Sequence, residues 1–247
     1  MKLNKVKPKF ISKVNPRIGL ITLGSDFRIE KDFNNVVYGR DIDLYVNRIH
    51  CYNPLTNATL VKMSEDITDV TKEILPGQRI DCIAYGCTSG TVAAGFDTIK
   101  NKVKLAKPEA KVTTPITSAI KAFKKFNISK ISIFAPYTKE INDSIISYFE
   151  KENININSLS YFDIASDIDI GKVDQDNLFD VLSKMDLENS DALFVSCTAL
   201  PVLSIIDKLE KILNKTVLSS NQTLIWDSLN QIGYKEKIKG FGRLLNN

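Results

Sequence analysis

The sequence has a single histidine, His50, in 247 residues. That scarcity removes most zinc sites and every Ser–His or Cys–His arrangement not built on this one side chain. The ordinary reading of His50 is a strand-end or loop residue. Cysteine is also sparse, with four residues at positions 51, 82, 87 and 197 and no CxxC pair. A disulfide framework is therefore not expected, and the thiols should be free. No apolar run approaches the roughly 18 residues that would cross a bilayer, and the lysine-studded start MKLNKVKPKFISKVNPR lacks the apolar stretch of a signal peptide. A cytoplasmic protein without a membrane partner is predicted. No Gly-rich segment follows GxGxxG or GxxxxGKS/T, so nucleotide binding is not indicated. Net charge is only +4, and Lys and Arg alternate with Asp and Glu rather than forming a basic stripe. Nucleic acid is not an expected partner.

What is present, 43% hydrophobic and 25% charged residues, is enough for a globular protein to bury a core in one large domain or two lobes. From Arg17 onward, short β-branched runs alternate with amphipathic stretches, the pattern of an α/β protein with parallel strands. Strands are predicted at 17–24, 44–50, 81–86 and 110–115, then at 130–136, 156–162, 191–196 and 215–220. Helices are predicted at 57–74, 91–101, 117–126, 138–152, 175–185, 200–213 and 222–232, where apolar residues recur at three- and four-residue spacing.

The two sets of strands match each other in order. RIGLITLGSDF overlays KISIFAPYTKE, with Ile18 on Ile131; DCIAYGCTSG overlays DALFVSCTAL, with Cys87 on Cys197; VTTPITSAI overlays VLSSNQTLI, with Val112 on Val217. Three ordered matches imply an internal duplication. The fold expected is two similar Rossmann-like lobes, each a parallel sheet flanked by helices, related by a pseudo-two-fold axis. The boundaries predicted are a basic tail over 1–16, a first lobe over 17–115 plus 222–247, and a second over 116–221. Ligands of parallel α/β sheets bind beyond the carboxyl ends of the strands, so the active site belongs in the cleft between the lobes, with both Cys-Thr dipeptides facing it.

In GCTSGTVAAG a thiol stands where a strand gives way to a helix, and SCTALPVLSII is expected to repeat that arrangement. A helix N-terminus favours negative charge, which predicts that each thiol ionises more readily than a free cysteine. The hydroxyls of Thr88, Ser89 and Thr198, with nearby backbone N–H groups, are candidates to hold a substrate carboxylate and the charge that develops on it. The plain alternative, two small apolar residues capping core strands, fits either cysteine taken alone. Cys82 falls inside a strand, opposite Ala192 in the repeat, and reads as core. Cys51 has no counterpart and reads as structural.

With these segments in view, the sequence resembles the aspartate/glutamate racemase superfamily over about residues 16–230, and within it the maleate isomerase and arylmalonate decarboxylase branch. RIGLITLGSDF, CTSGTVAAG, FAPYTKE, DALFVSCTAL and SSNQTLIWDSL look most like ectoine-utilisation proteins of that branch. The resemblance implies a cofactor-independent racemase, epimerase or cis-trans isomerase in which Cys87 and Cys197 act on a small carboxylic or amino acid, and it implies a homodimer. It also implies that Tyr137 contacts a substrate carboxylate. Arylmalonate decarboxylases carry glycine at the position of Cys87, so simple decarboxylation is the alternative that the residues favour less; a binding module that keeps the cleft without turnover is another. Asp26 stands where maleate isomerases have asparagine, and Asp167 stands at the position of a second. An ionised Asp accepts hydrogen bonds only and repels a second carboxylate, so a substrate bearing an ammonium or amide group is expected to suit this chain better than maleate.

Overall fold

All eight predicted strands form, and they make two four-stranded parallel sheets of identical order. The computed structural model describes residues 1 and 3–247. The first sheet runs β2-β1-β3-β4, with β1 at Arg17–Leu23, β2 at Asp43–Ile49, β3 at Cys82–Gly86 and β4 at Lys111–Thr113. The second runs β6-β5-β7-β8, with β5 at Lys130–Ala135, β6 at Asn155–Tyr161, β7 at Ala192–Val195 and β8 at Thr216–Ser219.

Register follows the repeat found in the sequence. Ile18 pairs with Cys82 and Cys82 with Lys111, while Ile131 pairs with Ala192 and Ala192 with Thr216. The central strands β3 and β7 are buried along their whole length, as expected where helices cover both faces of a parallel sheet. The edge strands β2 and β6 are partly exposed and carry the polar residues Asn47, Arg48, Asn157 and Ser160.

The helices depart from expectation in places. The segment predicted at 91–101 is two helices, Thr88–Ala94 and Phe96–Ala106, divided at Gly95, whose φ of 83° suits glycine. The segment at 57–74 is split by a short 3-10 turn at Ser64–Asp66. Two helices, Ile29–Val37 and Asp167–Gly171, had no sequence prediction. Residues 3–15 lack regular structure, with Leu3, Val6, Phe10 and Ile11 exposed. No helix among the described residues is long and apolar enough to cross a membrane.

The lobes meet at the carboxyl ends of their strands. Leu55 N–H donates to Ala165 O, Arg28 donates to Gly171 O from Nε and Nη2, and Asn57 contacts Ser144. The helix Ser220–Gln231 follows β8 of the second sheet but packs on β3, β4 and helix Pro115–Phe126. The chain then turns back, so that Gly242 and Arg243 donate to Asp207 and Glu210 of helix Ile206–Leu213. In each sheet the strand order reverses at its first strand. The loops after β1 and β3, and after β5 and β7, therefore flank a topological switch point, the position at which parallel α/β sheets bind ligands.

Candidate active site

These four loops carry Asp26, Cys87, Tyr137 and Cys197. Cys87 is the N-cap of helix Thr88–Ala94, and its sulfur accepts from Gly90 N–H at 3.2 Å. The approach requires glycine: a Cβ at position 90 would sit 2.8 Å from the Cys87 sulfur and 2.8 Å from the Tyr85 hydroxyl. Ser89 Oγ lies 3.8 Å from the same sulfur.

Cys197 differs from the expected helix-capping geometry. Residues 198–201 form a bend, and helical structure begins only with the 3-10 turn Leu203–Ile205. Pro201 accounts for the delay, because proline lacks an N–H and disfavours helical geometry at the residue before it. The Cys197 sulfur is instead contacted by Ala199 N–H at 3.4 Å and by the Tyr137 hydroxyl.

The two Cys-Thr loops touch. Ser220 Oγ accepts from Thr88 Oγ1 at 2.8 Å and from Cys197 N–H at 3.1 Å, so one hydroxyl holds both. Thr198 Oγ1 donates to Gly86 O at 3.4 Å across the same seam. The Thr88 and Thr198 hydroxyls, candidates for carboxylate binding, are thus engaged in joining the loops. Asn221 adds a further tie, donating to Thr198 O at 2.8 Å and to Asp32 Oδ2 at 2.7 Å. Neither Ser220 nor Asn221 was singled out from sequence, although both fall in the third repeated element.

Both sulfurs are enclosed, Cys87 being 3% and Cys197 2% exposed. A surface hollow of about 280 Å³ reaches Asp32 and Pro201 without reaching either sulfur. Burial reverses the acidity expected of the thiols. It pushes Cys87 up to about 12 against the help of the Gly90 N–H, and nearby Asp167 pushes in the same direction. Cys197 is raised as well, by burial first and by Asp167 next, with the Tyr137 hydroxyl and Ala199 N–H opposing. The buried Tyr137 phenol is itself held far above its usual range, by burial and by the charge of either thiolate beside it.

Asp26 and Asp167 reach this site from opposite lobes. Asp26 is wholly buried; its Oδ1 accepts from Arg28 N–H at 2.7 Å and Ile29 N–H at 3.1 Å, while Oδ2 has no hydrogen-bond partner. Asp167, 3% exposed, accepts from Ser25 Oγ at 2.5 Å, and its N–H donates to Asn53 Oδ1. Burial raises both carboxyls, Asp167 to about 6, with the Asp26 charge adding to the rise. Cys51 joins this group: burial lifts it to about 11, the Ser25 hydroxyl eases it, and Asp167 and Asp26 oppose its ionisation. Cys82 lies apart, buried against Thr113 at 3.7 Å. His50 is exposed and stacks edgewise on Tyr52.

Residues 89–245, from the residue after the first Cys-Thr pair through the second and on to the tail, match the arylmalonate decarboxylase (Amdase) family. The chain belongs to that family. The maleate isomerase of Geobacillus stearothermophilus is 24% identical over 93% of this chain and 97% of its own. The maleate isomerase Iso of Pseudomonas putida S16 superposes with a TM-score of 0.86 at 20% identity, over 95% of this chain and 99% of its own. A cysteine-to-serine mutant of the Nocardia farcinica maleate cis-trans isomerase, with a covalently bound succinylcysteine intermediate, superposes with a TM-score of 0.86 at 18% identity, over 94% and 98% of the two chains. These structures share the two-lobed fold.

Proposed function

We propose that the chain is an isomerase that works on a small carboxylic acid through Cys87 and Cys197. The observation carrying this reading is the meeting of the two Cys-Thr loops on one Ser220 hydroxyl. The relatives that are maleate isomerases, one of them with a succinylcysteine intermediate, support sulfur-based chemistry.

With 2–3% exposure at the sulfurs, a substrate enters only when the loops part. Its carboxylate then has the Thr88 and Ser89 N–H groups at the start of helix Thr88–Ala94 to bind, since Gly90 N–H is taken by the Cys87 sulfur and Thr91 N–H by Cys87 O. One sulfur must be a thiolate. Cys87 is assigned that role, because its Gly90 N–H contact at 3.2 Å is shorter than the Ala199 N–H contact of Cys197 at 3.4 Å. In cis-trans isomerisation the thiolate adds to an alkene carbon, and the π electrons move onto the carbon beside the carboxylate. The new single bond turns, and the electrons return as the S–C bond breaks. In racemisation the Cys87 thiolate takes the α-proton and the Cys197 thiol delivers its own from the opposite face, so the pair exchanges protonation states. A thiol at position 87 favours both over decarboxylation. A homodimer, and a place in ectoine utilisation, belong to the same proposal and rest on the sequence resemblance.

Solvent deuterium incorporation and alkene isomerisation, followed by NMR across maleate, amino acids and N-acetylated diamino acids, test the reading. Wild type should convert at least one class, and Cys87→Ala and Cys197→Ala should each lower the rate by about 1000-fold or more. Ligand-induced stabilisation without any conversion would identify a binding module instead.

A further inference from the structure

Tyr85 has no part in the reaction scheme above, and its surroundings are not those of an ordinary core phenol. The side chain is 0% exposed, yet its hydroxyl has no hydrogen-bond partner among the described residues. Buried phenols are normally paired, because an unmatched hydroxyl costs stability. The fold does not call for the oxygen. Where DCIAYGCTSG overlays DALFVSCTAL, the equally buried Val195 fills the position of Tyr85 in the second sheet.

The unpaired hydroxyl stands beside the Cys87 sulfur. Tyr85 precedes Cys87 by two residues of extended chain, which sends both side chains to one face of the strand. One point, the place a Cβ at position 90 would take, is 2.8 Å from the Tyr85 oxygen, 2.8 Å from the sulfur and 3.1 Å from the Met63 methyl. Glycine keeps that point free and leaves open the approach of phenol to sulfur.

A thiolate at Cys87 is short of support. Asp167 and Cys51 both oppose its ionisation, and its donors are Gly90 N–H at 3.2 Å and, more distant, Ser89 Oγ at 3.8 Å. Cys197 has a phenol against it, that of Tyr137, whose counterpart in the repeat is Gly24. Burial holds the Tyr85 phenol far above its ordinary range, and negative charge on Cys87 or Cys51 adds to the rise, so it stays a protonated donor. Such a donor binds an anion about twice as strongly as a neutral acceptor.

We infer that Tyr85 is a further catalytic residue: its hydroxyl, unpaired while Cys87 is a thiol, turns onto the sulfur as the thiolate forms and holds the negative charge there. The inference rests on Cys87 being the reacting thiolate. It gives each sulfur a phenol, Tyr85 for Cys87 and Tyr137 for Cys197, taken from non-equivalent positions of the repeat.

Tyr85→Phe removes the oxygen and keeps the ring. Iodoacetamide alkylation of the full chain at neutral pH, followed at each cysteine by peptide mass spectrometry, reads the thiolate directly. The variant should slow alkylation of Cys87 by about fivefold, the loss of thiolate being partly offset by the greater nucleophilicity of a less acidic thiol. The rate at Cys197 should not change, and the melting temperature should hold or rise, because the resting protein loses no hydrogen bond. Equal Cys87 rates in the two proteins, whether measurable or zero, would overturn the inference. So would an equal slowing at both sulfurs or a lowered melting temperature, which would mark the hydroxyl as a packing element. Alkylation requires no substrate. An unchanged rate therefore leaves the proposed reaction standing, whereas undiminished turnover in Cys87→Ala would strike the reaction and leave the measured effect of Tyr85 on Cys87 intact.

Discussion

The loops bearing Cys87 and Cys197 begin alike and end differently. Each follows the third strand of its sheet, yet the first enters a helix at once and the second runs through a bend to Pro201 before turning helical. The helix gives the Cys87 sulfur a backbone N–H at 3.2 Å; the bend gives Cys197 a longer one at 3.4 Å and a tyrosine hydroxyl. Duplication has thus placed two sulfurs symmetrically without making them chemically equal. An isomerase profits from that inequality, because one sulfur has to ionise while the other remains a thiol. The carboxyls repeat the lesson: Asp26 is fastened by its own loop, and Asp167 by a serine of the opposite lobe.

The largest break in this comparison should come from Gly90→Ala. A methyl group 2.8 Å from both the Cys87 sulfur and the Tyr85 hydroxyl cannot be accommodated without moving one of them, and the Cys87 loop would lose its advantage over the Cys197 loop. Turnover should drop by about 100-fold, since small displacements of a reacting group have effects of that size. Overpacking should cost about 1–3 kcal/mol of stability, measured by denaturant unfolding.

Asp167→Asn sharpens the comparison between the carboxyls. The folded protein holds Asp167 near 6 against a usual 3.8, so folding binds the proton more tightly than the unfolded chain does. Stability from this group is fully present below pH 3.8, declines as pH rises toward 6, and stays lost above that. Asparagine has no ionisation to oppose. The variant should match wild type at pH 3.5 and exceed it by about 3 kcal/mol at pH 8. Equal unfolding curves at both pH values would show that the Ser25 hydroxyl alone stabilises the charge.

Much of this was legible in the sequence because parallel strands buried on both faces are written as continuous apolar runs, and the repeat fixed which strands correspond. The pairing of Cys82 with Lys111 and of Ala192 with Thr216 follows the repeat alignment. Helix Ile29–Val37 was overlooked although Ile29, Phe33, Val36 and Val37 keep helical spacing, since Asn34 and Asn35 interrupt the run of good helix formers. The thiol acidities were misjudged for a different reason. Sequence shows which backbone donors flank a sulfur but not how completely water is excluded from it, and here exclusion outweighs the donors. Cys51 illustrates the same limit: no spacing rule links it to Ser25 of its own lobe or to Asp167 of the other.

The smallest effect expected, and the one most specific to the paired loops, is that of Ser220→Ala. Its hydroxyl is shared between the Thr88 side chain and the Cys197 backbone, so its removal leaves a buried hydroxyl and a buried N–H without their common acceptor. Water cannot readily replace it where Thr88 and Cys197 are 1% and 2% exposed. A cost of about 1 kcal/mol in stability is expected for the lost bonds. The kinetic consequence should fall unevenly. Thr88 remains anchored by its helix, whereas the non-helical bend at Cys197 is held by scattered contacts, from Asn221 to Thr198 O, from Gln175 to Pro201 O and from Thr198 to Gly86 O. Proton delivery from the Cys197 side should therefore slow more than chemistry at Cys87, which deuterium incorporation measured separately for the two substrate faces will report.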